Sequence, residues 1–158
     1  MIGLVDPRYC TFRLADLHLG ISVVDVQEVM RSQERTRVPL ASPVIHGLIN
    51  LRGGIVTTID LRRRLGLGPC PDDCEPIDVV VRHGDGVVSL LVDEIGDVFD
   101  STDHTVESLP PTVRSEHRDV VSGVYALDEH LLLVLDTERL LDLASFAAPT
   151  TASSPVAT

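Results

Sequence analysis

Period-two alternation dominates the chain. In "YCTFRL" (9–14), Cys10, Phe12 and Leu14 alternate with Tyr9, Thr11 and Arg13, the pattern of a strand with one buried face. "ADLH" (15–18) reads as a turn and "LGISVV" (19–24) as the returning strand. "VVSLLV" (87–92) follows "HGDG" (83–86), whose glycines permit the positive φ of a tight turn. "HLLLVL" (130–135) is an apolar run of strand length. Two segments read as short helices, "DLRRRLG" (60–66) and "DTERLLDLA" (136–144), and each opens on an Asp in the N-cap position.

The pattern repeats. "GLINLRGGIVTTIDLRRRL" (47–65) aligns without a gap on "GVYALDEHLLLVLDTERLL" (123–141). Gly47 meets Gly123, Leu51 meets Leu127, Asp60 meets Asp136 and Leu65 meets Leu141. Both copies read strand, turn, strand, Asp cap, helix. A weaker echo joins "ADLHLGISVVD" (15–25) to "GDGVVSLLVDE" (84–94). Each half therefore carries a hairpin, a middle section, a second hairpin and a short helix. A half this short is marginal alone, so two small all-β barrels packed on each other are expected. Residues 9–67 would form the first and 77–143 the second, with strand exchange between them left open. "GLGPCPDDCEP" (66–76) reads as the linker and 147–158 as a disordered tail.

Composition narrows the chemistry. Of 158 residues 44% are hydrophobic but only 3% aromatic, so the core is aliphatic. The net charge of −11 argues against nucleic acid, which demands a clustered positive field. All 13 basic residues are Arg, which excludes lysine Schiff bases and P-loops. No apolar run approaches the roughly 18 residues of a spanning helix, and no signal peptide is evident. These features suggest a soluble cytoplasmic protein without membrane insertion. The sequence contains no G-x-S-x-G elbow and no paired metal-ligand motif, so no catalytic residue, cofactor or metal is expected. His18, His46, His83, His104, His117 and His130 are scattered, and His18, His83 and His130 fall in or beside turns. Cys70 and Cys74 (C-x₃-C) leave thiol redox chemistry as a remote enzymatic alternative.

One hairpin carries more than a turn requires. Copy one has Asn50-Leu51-Arg52-Gly53-Gly54 where copy two has Ala126-Leu127-Asp128-Glu129-His130. Paired glycines permit close approach of another backbone, and Arg52 offers a rigid five-donor fork. Turn shaping and one-sided binding explain this equally well. A second candidate is "VVDVQEVMR" (23–31), which reads as a partly buried strand or a single helical turn. Pro39 and Pro43, in "TRVPLASPVIHG" (36–47), suit an edge strand and its exit.

Four blocks in this order resemble the CheW family of chemotaxis coupling proteins: "YCTFRLADLHLGISVVDVQEV", "PVIHGLINLRGGIVTTIDLRRRLG", "VVSLLVDEIGDVF" and "VSGVYALDEHLLLVLDTERLL". The resemblance implies an all-β fold with short helices, two packed five-stranded SH3-like β-barrels related by the internal repeat. It implies a non-catalytic adaptor joining methyl-accepting chemoreceptors to the histidine kinase CheA, cytoplasmic and peripheral to the inner membrane through receptor arrays. It also implies that the receptor's helical tip lies in a groove between the barrels, with Val23, Val26 and Glu28 on one side and Arg52 and Gly53 at its hairpin. Kinase-binding residues are not specified beyond apolar contacts at barrel ends. A same-fold adaptor in a chemosensory pathway for surface motility or development is the alternative. The chain departs from the family at Gly54, which suggests a looser hairpin, and at Arg31-Ser32, which alters charge near the groove.

Overall fold

The computed structural model describes residues 6–31, 36–37, 39, 43–68, 75–84, 86–111 and 118–142. Among them are ten strands: β1 Arg8–Leu14, β2 Leu17–Ser22, β3 Val26–Arg31, β4 Ile45–Leu51, β5 Gly54–Asp60, β6 Ile77–His83, β7 Gly86–Val92, β8 Glu94–Asp100, β9 Val121–Ala126 and β10 Leu131–Leu135. Two one-turn helices follow the second hairpin of each half, α1 Leu61–Arg64 and α2 Thr137–Leu140. The strands form two five-stranded sheets, ordered β3-β6-β7-β5-β4 (barrel one) and β8-β1-β2-β10-β9 (barrel two). Each curls into a partly open SH3-like barrel, leaving β3 and β4 as the edges of the first and β8 and β9 as those of the second.

Each sheet draws on both halves of the sequence. The hairpin β1–β2 pairs with β8 and β10, and the hairpin β6–β7 pairs with β3 and β5. Residues 9–67 and 77–143 thus each give strands to both sheets, and of the two pairings left open above the exchanged one is formed: the first hairpins change places. The repeat shows which segments are alike, but alikeness does not say which copy of a strand a hairpin pairs with. The exchange is reciprocal down to register. Leu133 lies opposite Leu19 in one parallel pair as Thr57 lies opposite Val88 in the other. Arg8 lies opposite Asp100 as Ile77 lies opposite Arg31.

The second hairpins repeat atom by atom. Asp60 N donates to Val44 O and Asp136 N to Val120 O, both at 2.8 Å. Asp60 and Asp136 each cap their helix by accepting from Arg63 N and Arg139 N, and each cap contributes about 1 kcal/mol. The bridge Thr36–Leu48 recurs as Glu107–Val124. Between the barrels lies one shared core, to which Phe12, Leu19 and Leu135 come from barrel two and Val79, Leu90 and Ile59 from barrel one. Leu61, Leu65, Leu140 and Leu141 at the two helices complete it.

Other expectations resolve as follows. The strand over 19–24 stops at Ser22, whose Oγ accepts from Val24 N and starts a 3-10 turn, Val23–Asp25. Both readings of 23–31 thus hold in sequence, a helical turn and then a strand. The helix expected over 136–144 spans Thr137–Leu140 and ends at its cap Leu141, with 143 and 144 outside the described residues. Most of the linker (69–74) and the whole tail 147–158 lie outside the described residues, as do Cys70, Cys74, Ser32 and His117.

The exchange leaves neither half with a full sheet of its own. A fragment of residues 1–68 is expected to show no cooperative urea transition by circular dichroism, and mixing it with 75–158 to restore one. Cooperative unfolding of either fragment alone would contradict the exchanged pairing.

Candidate functional site

The 3-10 turn hands the chain from barrel two to the edge strand of barrel one. Val23 and Val26 are half-buried there, and Val26 packs against the shared core. Along β3 the burial alternates, so that Val26, Glu28 and Met30 face inward while Gln27, Val29 and Arg31 face solvent. Glu28 therefore sits on the inner side of an edge strand, 22% exposed at its side chain.

Arg52 and Gly53 form a two-residue turn between β4 and β5. Both have positive φ, 53° and 85°, the geometry that matches the twist of a hairpin. Asn50 Oδ1 accepts from Gly53 N at 3.1 Å, which fixes the turn from within. Gly54 pairs with Leu51 directly across the turn, so this hairpin is tight and the looser one expected from Gly53-Gly54 is not formed. A glycine at position 52 would adopt this φ without strain; an arginine there costs about 1–2 kcal/mol.

The arginine fork lands on Glu28. Nη2 donates to Oε1 at 2.9 Å, and Nη1 lies 2.8 Å from Oε2. The second contact has ion-pair distance without hydrogen-bond direction, so the buried Oε2 gains a charge partner but no aligned donor. Arg52 is 71% exposed at its side chain, and an ion pair so open to water contributes about 0–1 kcal/mol. The pair therefore does not offset the strain of its turn. Its consequence is geometric: it ties the β4–β5 turn to β3, across the open seam of barrel one.

Barrel two covers its seam differently. Phe99 on β8 and Tyr125 on β9 meet at 5.3 Å between ring centroids, tilted by 56°, with Tyr9 6.1 Å from Tyr125 and His104 4.8 Å from Phe99. The positions equivalent to Glu28 and Arg52 are Asp97 and Asp128, two acids that cannot pair. One seam is thus covered by aromatic rings, the other polar and held by a surface ion pair.

Residues 8–145 match the CheW-like domain family. The chain belongs to the CheW-like family. It is 34% identical to the chemotaxis protein CheW of Bacillus subtilis (strain 168), over 87% of this chain and 88% of that one. It is 28% identical to the probable chemotaxis protein CheW of Rhizobium etli, over 85% and 87%. Among solved structures, the scaffolding protein TtCheW from Thermoanaerobacter tengcongensis superposes with a TM-score of 0.76 at 27% identity, covering 87% of this chain and 93% of that one. The CheW-like assignment accounts for the paired barrels.

Glu28, Arg52 and Gly53 come together at the barrel-one seam, and Val23 and Val26 lie on the segment leading to it. A groove between the barrels does exist, but Asp25, the β6–β7 turn and α2 line it, and none of these five residues does. Three features lay beyond sequence reasoning. His18 and His130 stack at 3.7 Å and 20°, a meeting created by the parallel pairing of β2 with β10. Burial pushes the Cys10 thiol up, away from the thiolate form.

The third is the Arg62–Asp93 clamp, which joins α1 to the end of β7. Arg62 Nε and Nη2 donate to Asp93 Oδ1 and Oδ2 at 2.9 and 2.5 Å, and Ala15 N donates to Oδ2 at 2.9 Å. Burial raises the Asp93 carboxyl, but the Arg62 and Ala15 hydrogen bonds and the Arg62 and Arg13 charges outweigh it and hold it below its usual value. A depressed carboxyl stabilises the fold above its unfolded value of 3.8 and loses that contribution as pH falls through the lower folded one. Asp93→Asn should cost about 2 kcal/mol at pH 7, read by urea denaturation, and the gap to wild type should narrow as the pH drops below 3.8. An undiminished gap at low pH would show that the Asp93 charge is not what stabilises this junction.

Proposed function

We propose that this chemotaxis adaptor, which couples chemoreceptors to the kinase CheA, takes the helical tip of the receptor at the barrel-one seam. Val23 and Val26 supply apolar contacts and Gly53 lets the receptor backbone approach. Arg52 acts by holding Glu28 and the β3 edge in one arrangement. Helix recognition of this kind combines apolar anchors with a few oriented polar groups. The observation that carries the reading is the Glu28–Arg52 fork across the seam, an ion pair that adds little stability and sits where the sister barrel has none.

Kinase contact belongs to apolar positions that recur in both barrels. Val29 and Val98 are equivalent in the repeat and are 41% and 59% exposed; Ile55 and Leu131 are equivalent and are 67% and 44% exposed. Like positions on two like barrels suit end-to-end packing against a domain of the same fold in the kinase. The protein carries out no reaction and works in the cytoplasm, at the membrane only through its receptors.

Capture on an immobilised receptor tip and on CheA separates these roles. Wild type should retain both partners. Arg52→Ala, which keeps the turn conformation an alanine tolerates as poorly as an arginine, should weaken receptor capture about ten-fold and leave kinase capture intact. Undiminished receptor capture would remove the seam from the site, and failure of the wild type to hold either partner would remove the adaptor role.

A further inference from the structure

The parallel pairing of β2 with β10 joins the two halves of the chain beside a pair of titratable rings. Arg13 lies opposite His18 across β1–β2, and Leu132 lies opposite it across β2–β10, so these three side chains share one face of the sheet. His130 precedes Leu132 by two residues and reaches the same face, where its ring stacks on His18 at 3.7 Å and 20°. His130 is also the base of the β9–β10 turn, since its carbonyl accepts from Leu127 N at 2.9 Å. The repeat puts Val87 and Gly54 at the equivalent positions of barrel one. The fold therefore needs no ring at either place.

Both rings line a cavity of about 380 Å³ in barrel two, with Arg13, Glu94, Asp97 and Leu127 among its other walls. The charges facing the pair are thus Arg13 from β1 and Glu94 and Asp97 from β8. Arg13 and Glu94 already meet each other at 2.5 Å. β10 has no charged residue, and the one titratable residue of β9, Tyr125, faces the aromatic cluster. Asp16, Asp128 and Glu129 stand in the two adjoining turns and are exposed. Neutral imidazoles can stack as other flat rings do, but an imidazolium here would face its neighbour's ring and the Arg13 guanidinium. Burial, then His130 and Arg13, lower the His18 pKa from its ordinary value. A lowered histidine stabilises the fold above its unfolded value of 6.5 and loses that contribution as pH falls through the lower folded one.

We propose that His18 and His130 form an acid-released latch on the β9–β10 turn: neutral and stacked they hold the turn against β2, and protonation parts them. The transition falls in the range where histidine changes charge near physiological pH. Leu131 stands at the foot of this turn, 44% exposed, so parting the rings moves an apolar surface position. The latch rests on the ring geometry and the strand pairing, and not on the partner proposed for Leu131.

Amide hydrogen exchange of the full chain tests it. The Leu127 amide, which closes the turn, is compared with amides of the β4–β5 turn in the same sample, where no histidine stands. Its relative protection should fall about ten-fold between about pH 7.5 and about pH 5.5. The double variant His18→Phe with His130→Phe keeps two stacked rings without a charge and should stay protected at both. His18→Lys places a permanent cation beside His130 and should show the low protection at both; should it fail to fold, wild type and the phenylalanine variant decide the matter. The His18 ring, followed by its C2 proton in NMR, should titrate below 6.5 in wild type. The proposal is overturned if wild-type protection does not change with pH, if both turns lose it together, if the phenylalanine variant loses it as wild type does, or if His18 titrates at or above 6.5.

Discussion

Each half of the chain lacks two strands of a five-stranded sheet and takes them from the other half. Everything else in the molecule depends on this reciprocal pairing. It lays β1–β2 against β8 and β10, and β6–β7 against β3 and β5. It brings aliphatic residues of both halves into one core, where each buried side chain of this size contributes about 1.5–3 kcal/mol. With aromatics at 3% of the chain, no single large residue could nail the two barrels together. Interlocking supplies that attachment through backbone ladders as well as packing.

The exchange also sets where the barrels stay open. A five-stranded sheet curled this tightly leaves two edges facing each other, and an open edge invites foreign strands. Barrel two covers its edges with Phe99, Tyr125, Tyr9 and His104. Barrel one leaves a polar seam bridged by Glu28 and Arg52. Near-identical scaffolds thus have unlike edges, and the same contrast recurs at the helix junctions, where Arg62 and Asp93 pair in one and the repeat puts Glu138 and Val24 in their places in the other. A duplicated fold that keeps its core and varies its exposed contacts presents two different faces to two partners, which suits an adaptor.

Much of this was legible in the chain. The Asp60 and Asp136 caps, the hairpins and the gapless repeat are local or periodic signals, and local hydrogen bonding produced them as read. The hairpin exchange was not legible as a choice, because Leu19 reads the same whether it faces Leu133 or Thr57. The His18–His130 stack and the aromatic seam follow from that choice and were hidden with it. Of the candidate site, Glu28 and the Arg52-Gly53 turn meet at the barrel-one seam. The inter-barrel groove lies elsewhere, because the 3-10 turn at Val23–Asp25 points Asp25 to it while β3 carries Glu28 to the seam.

In the function proposed above, Glu28 and Arg52 act as one unit that shapes the receptor-binding edge. Receptor-tip affinity of Glu28→Arg, Arg52→Glu and the exchanged double variant tests it most directly. The single variants should each bind weakly and the double variant should recover most of the wild-type affinity, because the reversed pair spans the same seam. A double variant as weak as the singles would contradict the account and make Arg52 a direct contact to the receptor.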